Sequence, residues 1–153
     1  MTPRTPLPPA HLDAWKALLR THATTVGRIE ARLTATEHIP LVEYDVLLEL
    51  HNAPEGNLRM NDLARRVLLS RSGLTRLVDR LERLGYLQRH TNPIDRRGTH
   101  ATLTPAGRAA LKAAWPVYAQ GIQDAFARHL QPDEARHLTD LLNRVSAGDH
   151  HAS

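Results

Sequence analysis

Ser70, Arg71, Ser72, Thr75 and Arg76 set small hydroxyl side chains beside guanidinium groups within seven residues. At the start of a helix that combination suits a polyanion. The small side chains let a phosphate reach free backbone N–H groups, and Thr75 and Arg76, one turn further on, can reach base edges in a major groove. Asp95, Arg96 and Arg97 form a second basic group, in a segment bounded by Asn92-Pro93 and Gly98. At a hairpin tip the two arginines would meet phosphates or a minor groove, with Asp95 orienting one guanidinium. The charge distribution agrees. Residues 59–108 hold 11 of the 20 basic residues and 4 of the 16 acidic ones, a net of +7, which leaves −3 for the rest. Eighteen of the 20 basic residues are Arg, whose fork matches phosphate and guanine. A segmental excess of this kind points to a polyanion more than to a merely solvated face. Arg65, Arg66, Arg80 and Arg83 are explained equally well by helical pairing with carboxylates such as Glu82. Asp79 shares a helix face with Thr75 and Arg76 but is anionic, and reads as an internal partner of a neighbouring Arg.

Other chemistries find less support. The ten histidines contain no pair three or four residues apart, the spacing that aligns two imidazoles on a helix, so no metal site is expected; His150-His151 could only scavenge an ion. No Gly-rich phosphate loop, Gly-x-Ser-x-Gly elbow or helical His-Glu-x-x-His is present, so no catalytic activity and no cofactor are expected. With no Cys in the chain, disulfides, thiolate metal sites and thiol sensing are excluded. No apolar run is long enough for a membrane span, and the Pro-rich start, Thr2 to Pro9, lacks an apolar signal region. A cytoplasmic protein without a membrane partner is the expectation.

The elements that must hold these residues are helical, because 24 Leu and 20 Ala stand against 7 Val, 4 Ile and 1 Phe. Leu12, Trp15, Leu19, His22, Val26, Ile29 and Leu33 alternate steps of three and four, the seam of a long helix that must pack on another helix. His22 is the one titratable ring on that seam. A second helix is expected from Leu41 to Asn52, ended by the turn Ala53-Pro54-Glu55-Gly56. A short helix capped by Asn61 follows, carrying Leu63, Ala64 and Val67. Ser70 is the N-cap candidate of the next, which runs to Leu84 and stops at Gly85. Its apolar face is Leu74, Leu77, Val78, Leu81 and Leu84; Ser72, Thr75, Arg76, Asp79 and Arg83 lie opposite. Residues 86–91 and 98–104 read as short strands. An Ala-rich helix with Pro116 inside it is expected from Pro105 to about Leu130, with Leu111, Trp115, Tyr118, Ile122 and Phe126 inward. A last helix starts at Gln131-Pro132-Asp133-Glu134, with Leu138, Leu141, Leu142 and Val145 as its stripe.

A helix, a tight turn, a capped helix and a basic hairpin make the winged helix-turn-helix order. The segments Leu63-Ala64, Ser70 to Glu82, Gly85 to Arg89, Asp95-Arg96-Arg97-Gly98 and Leu103-Thr104-Pro105-Ala106-Gly107 resemble, in register, the MarR family of bacterial transcription regulators. The resemblance covers roughly residues 11–146. It implies a mostly α fold with a small two- to three-stranded β wing, in a single domain. In that domain, helices at 11–35 and 105–146 dimerise, residues 41–104 form the winged helix-turn-helix lobe, and residues 1–10 and 147–153 are flexible ends. It also implies a homodimer on a near-palindromic double-stranded operator, usually a repressor released by a small phenolic or organic acid. The family's Asp-x-Arg wing pattern falls on Asp95 and Arg97, making Arg97 the minor-groove arginine, and its recognition positions fall on Ser70 to Arg76. The family's ligand pocket lies between the dimerisation helices and the winged lobe, which makes Trp15, Lys16, His22, Tyr44, Asp45 and His51 the candidate lining. Trp15-Lys16 with His22 looks similar to members that bind aromatic carboxylates through a basic residue on the first helix. Trp15 with Asp45 is similar to the urate-responsive branch. Lys16 and His22 stand six positions apart, roughly 9 Å of rise and about 240° of rotation, so only a ligand spanning the helix edge touches both. The alternatives are a metal-responsive regulator of the same fold and a helical interaction module without DNA binding.

Overall fold

A computed structural model describes residues 6–67, 69, 71–91 and 98–147. The chain divides into two compact units, Glu30–Tyr118 and Met1–Ile29 with Ala119–Ser153. The order of elements is α1 (Pro9–Ala35), α2 (Leu41–Asn52), β1 (Asn57–Arg59), α3 (Met60–Arg66), α4 (Arg71–Arg83), β2 (Leu87–Thr91), β3 (Thr99–Leu103), α5 (Pro105–Ala125) and α6 (Pro132–Ala147). The fold is the mostly helical winged helix-turn-helix that the sequence predicts.

In the unit Glu30–Tyr118 the helices bury one face each. Val46, Leu47 and Leu50 of α2, Leu63 of α3, and Leu74, Val78 and Leu81 of α4 form the core with Leu33 and Leu87. The antiparallel sheet has the order β1-β3-β2. Alternation puts Leu58, Ala101, Leu103 and Leu87 on its buried face, and Asn57, Arg59, Gln88, His90, His100 and Thr102 on the other. β1 is too short at three residues to leave a periodic signal, and it exists because β3 offers it a paired edge.

Two junctions fix the wing. The helix α4 ends in a Schellman arrangement, with Gly85 at φ 76°, its N–H donating to Glu82 O at 2.9 Å and the Tyr86 N–H to Leu81 O at 2.9 Å. Thr104 then caps α5. Its hydroxyl donates to Gly85 O at 2.6 Å and accepts the Gly107 N–H at 3.1 Å, with Pro105 at the first helical position. Gly107 is required there, since a Cβ would run into the Tyr86 carbonyl and stand 2.8 Å from Leu103 Cδ1.

Several expectations are corrected. Asn61 does not cap α3; the helix begins at Met60, after extended Arg59 and without a side-chain cap. Leu84, 47% exposed, lies past the last turn of α4 and leaves its apolar face. Trp115, 52% exposed, is not inward on α5, while its neighbour Ala114 is fully buried. The same helix stops at Ala125, before a short 3-10 turn at Ala127–His129, rather than reaching Leu130. It passes through Pro116, which removes the bond an N–H there would donate to Lys112 O.

In the unit Met1–Ile29 with Ala119–Ser153, Gly121 lets helices meet closely, since a Cβ there would lie 3.0 Å from Ile29 Cγ1. The seam of α1 is nevertheless open at its N-terminal end, where Leu12, Trp15 and Leu19 are exposed, as is Leu18 beside them. No residue of α6 is buried, and Leu142 and Val145 of its stripe are exposed.

Candidate nucleic-acid interface

α4 divides as its period requires. Leu74, Val78 and Leu81 are buried, while Ser72, Thr75, Arg76 and Arg83 on the opposite face are exposed. Arg71 is the first residue of α4; Ser70, Asp95, Arg96 and Arg97 lie outside the described residues. Beside Thr75 a polar cleft of about 330 Å³ is lined by Arg59, Asn61, Arg89 and Thr99. The sequence assigns Arg59 no role and Asn61 only a cap, because only the turn from β1 into α3 carries them to the exposed side of α4.

The helix is held in place by ions rather than by apolar packing alone. Arg89 on β2 reaches two carboxylates of α4. Its Nη1 lies 2.7 Å from Asp79 Oδ1, its Nε and Nη2 donate to Glu82 Oε2 at 2.9 and 2.6 Å, and its backbone N–H donates to Glu82 Oε1 at 2.9 Å. The Arg89 backbone and side-chain hydrogen bonds hold the Glu82 carboxyl below its usual range, and Glu82 raises Arg89 in return. Asp79 thus partners a neighbouring Arg, as its sign predicts, whereas Glu82 pairs with Arg89 of β2. On the other side Arg80 Nε sits 2.5 Å from Glu43 of α2, a carboxylate only 3% exposed, and Arg66 of α3 reaches Glu49 at 3.4 Å. Arg65 pairs with Asp62. Four arginines of the basic segment are therefore structural ties, while Arg76 and Arg83 stand on the exposed face of α4.

A second concavity, about 990 Å³, opens between α2 and the first half of α5. Tyr44, Leu48 and His51 line it from one helix, and Arg108, Lys112 and Trp115 from the other, each set on one helical stripe. Arg108 Nη1 donates to His51 Nδ1 at 2.9 Å. The Tyr44 ring packs edge-on to Tyr118 with centroids 4.7 Å apart. Burial, then Tyr118 and Asp45, pushes the Tyr44 hydroxyl pKa up; Asp45 is raised by burial and by Glu49 and Glu30. The lining thus combines two cations with an indole and a phenol, side chains whose chemistry suits a flat anion.

A MarR family model matches residues 39–98. The transcriptional regulator YkoM of Bacillus subtilis (strain 168) is 34% identical over 109 residues, which cover 71% of this chain and 69% of that one. MhqR of the same organism is 32% identical over 103 residues, 67% of this chain and 69% of that one. The chain belongs to the MarR family. Among solved structures, the MarR regulator Sco3205 of Streptomyces coelicolor, in complex with DNA, superposes with a TM-score of 0.86 at 26% identity, over 97% of this chain and 92% of that one. AbsC, a MarR regulator of the same organism, shares the fold with a TM-score of 0.85 at 23% identity, over 95% of this chain and 98% of that one. As a MarR-family protein the chain is a DNA-binding transcription regulator and not an enzyme.

The MarR-like ligand candidates divide between the two units. Trp15, Lys16 and His22 stand exposed on α1 in the unit with Met1–Ile29, whereas Tyr44, Asp45 and His51 belong to Glu30–Tyr118. Of the latter, Tyr44 and His51 line the α2–α5 concavity and Asp45 does not. Arg108, Lys112 and Trp115 were missed, although their steps of four and three mark one face of an Ala-rich helix. Among the described residues no group of three or more His, Cys, Asp or Glu is placed to hold a metal, and no helix is long and apolar enough to cross a membrane.

Proposed function

We propose that the protein is a cytoplasmic, homodimeric repressor that reads a near-palindromic operator and lets go when a small aromatic anion enters the α2–α5 concavity. The observation that carries the reading is the two-faced α4. Its buried Leu74, Val78 and Leu81 anchor it, its exposed Ser72, Thr75 and Arg76 face outward, and an antiparallel wing is clamped to it through Arg89. Thr75 and Arg76 then read base edges, with Ser70, Arg71 and Ser72 at the helix start near phosphate, and Asp95, Arg96 and Arg97 at the wing. The fold shared with Sco3205, which is solved in complex with DNA, supports this use of the helix.

Dimerisation is supported by the exposed Leu12, Trp15, Leu18 and Leu19 of α1 and Leu142 and Val145 of α6, apolar surface that a second copy would cover. Ligand release is supported by Arg108 and Lys112 beside Trp115, which match a carboxylate on an aromatic ring. Bound anion would favour a dimer geometry whose recognition helices no longer match the half-site spacing.

The test is recovery of genomic fragments with the purified protein, followed by titration of the enriched site and of random duplex against wild type and Arg76→Ala. Loss of the enriched site's advantage in Arg76→Ala, with random binding retained, is the expected result. An equal fall for both would make Arg76 an electrostatic anchor only, and no enriched site at all would overturn sequence-specific binding.

A further inference from the structure

The outer face of the wing sheet carries a group that neither the DNA reading nor the α2–α5 concavity uses. Strand register sets Arg59 opposite His100 and His100 opposite His90, so one row crosses β1, β3 and β2 with all three side chains on one face. The two imidazole centroids are 5.7 Å apart with their planes tilted by 31°. His100 Nδ1 lies 3.1 Å from Asn57 Oδ1. An amide oxygen only accepts, so His100 donates from Nδ1 and keeps the Nε2 lone pair. That Nε2 is buried and has no hydrogen-bond partner. On the other ring, His90 Nδ1 lies 3.4 Å from Thr102 Oγ1, a hydroxyl that donates or accepts, and the tautomer that donates from Nδ1 presents its Nε2 lone pair to an ion.

We propose that His90 and His100 form a two-imidazole site for a divalent cation of the zinc type. A metal–nitrogen bond of about 2.0–2.1 Å puts each ring centroid roughly 3.2 Å from the ion. Centroids 5.7 Å apart lie within the roughly 6.4 Å that two rings sharing one ion can span, so a rotation of the rings suffices to bring both Nε2 atoms to it. Asn57 supplies the outer-shell acceptor that fixes the His100 tautomer, as carbonyl and carboxylate oxygens do for ligating histidines generally. Water would fill the remaining positions, since among the described residues no third His, Cys, Asp or Glu joins the pair. His90 is exposed, so the ion enters over it. Arg59 in the same row opposes a cation and keeps affinity below that of a closed four-ligand site. The ion would tie β2 to β3, the strands on either side of residues 92–97, and so would bear on how the wing meets DNA.

Helical spacing does not reveal this pair. These two are ten residues apart and meet only through hairpin register.

The test is calorimetric titration of the chelator-stripped full chain with Zn²⁺ and with Ni²⁺, without DNA. The starting variant is His150→Ala/His151→Ala, which removes the adjacent pair at the C-terminal end. One site per chain is expected in that background. His90→Ala or His100→Ala should weaken it more than tenfold, and Asn57→Ala by about 10- to 100-fold. Circular dichroism and the Gln variants at both positions control for folding. On the unsubstituted chain, imidazole nitrogen resonances of His90 and His100 should move together with one equivalent of Zn²⁺. Stationary resonances, no binding once the His150-His151 pair is gone, or equal affinity in the His90 and His100 variants would each overturn the site.

Discussion

Replacing Arg89 with alanine strips β2 of its ties to α4 and leaves Asp79 and Glu82, three residues apart on one helix, facing each other. The side chain is 30% exposed, so each of its two ion pairs contributes about 0.2–1 kcal/mol after screening rather than the figure for a buried pair. The uncompensated carboxylates add about 0.2–0.5 kcal/mol of repulsion. The arginine stem, on the sheet face it shares with buried Ala101, adds roughly one methylene's worth of burial, about 0.8 kcal/mol. Together these come to about 2 kcal/mol, which for a chain of this length lowers Tm by about 4–8 °C. Operator affinity should fall by up to about 30-fold, because the wing must be re-docked on α4 at that cost when DNA binds. Losing a positive charge also weakens DNA binding, so the decisive variant is Asp79→Asn/Glu82→Gln. It loosens the clamp from the other side while making the surface more cationic. The clamp predicts weaker operator binding; charge alone predicts tighter binding. Thermal unfolding and fluorescence anisotropy with operator duplex read both effects. An acid with a depressed pKa contributes stability above its unfolded value and loses it as pH falls through the folded one. The Tm gap between wild type and Arg89→Ala should therefore close as pH drops below the ordinary Glu value of 4.5. Tighter operator binding by the double variant, or an unchanged Tm in Arg89→Ala, would refute the clamp.

Gly107→Ala should cost at least about 1–3 kcal/mol, read by chemical denaturation, because its Cβ meets the Tyr86 carbonyl and Leu103 where α5 leaves the wing. A neutral effect would show that this junction is not close-packed. If the α2–α5 concavity holds the effector, hydroxybenzoate-type acids should quench the Trp115 emission in a Trp15→Phe background and release operator DNA. Lys112→Ala should raise the concentration needed by about tenfold, the loss of roughly 1.4 kcal/mol, with DNA binding intact. Asp45→Asn should raise Tm at neutral pH. The native carboxyl is pushed up by burial and by Glu49 and Glu30, so its contribution is favourable below the ordinary value of 3.8 and is lost as pH rises through the folded pKa. The gain should vanish near pH 3.8, and a gain independent of pH would point to packing instead.

Local rules wrote much of this molecule into its sequence. Leu74, Val78 and Leu81 recur at helical spacing, so α4 had to bury that face and expose Thr75 and Arg76 whatever it packed against. Gly85 supplies a positive φ that few other residues adopt, so the helix had to end there. The register of known motifs from Leu63 to Gly107 identified the family for the same reason, since each motif is a local device of turn, cap or helix start. Tertiary structure decided what depends on elements distant in the chain. Arg89 could not be assigned to Glu82 and Asp79 until β2 was laid along α4, and Arg80 could not be assigned to Glu43 until α2 met α4. Trp115 looked like core by period, yet Ala114 took the buried position and left the indole over the concavity with Arg108 and Lys112. A helical stripe fixes which residues share a face, but which face is covered depends on the partner element. His90 and His100 show the same limit most plainly. Their pairing is set by hairpin register, a relation between two strands that no spacing within either strand contains.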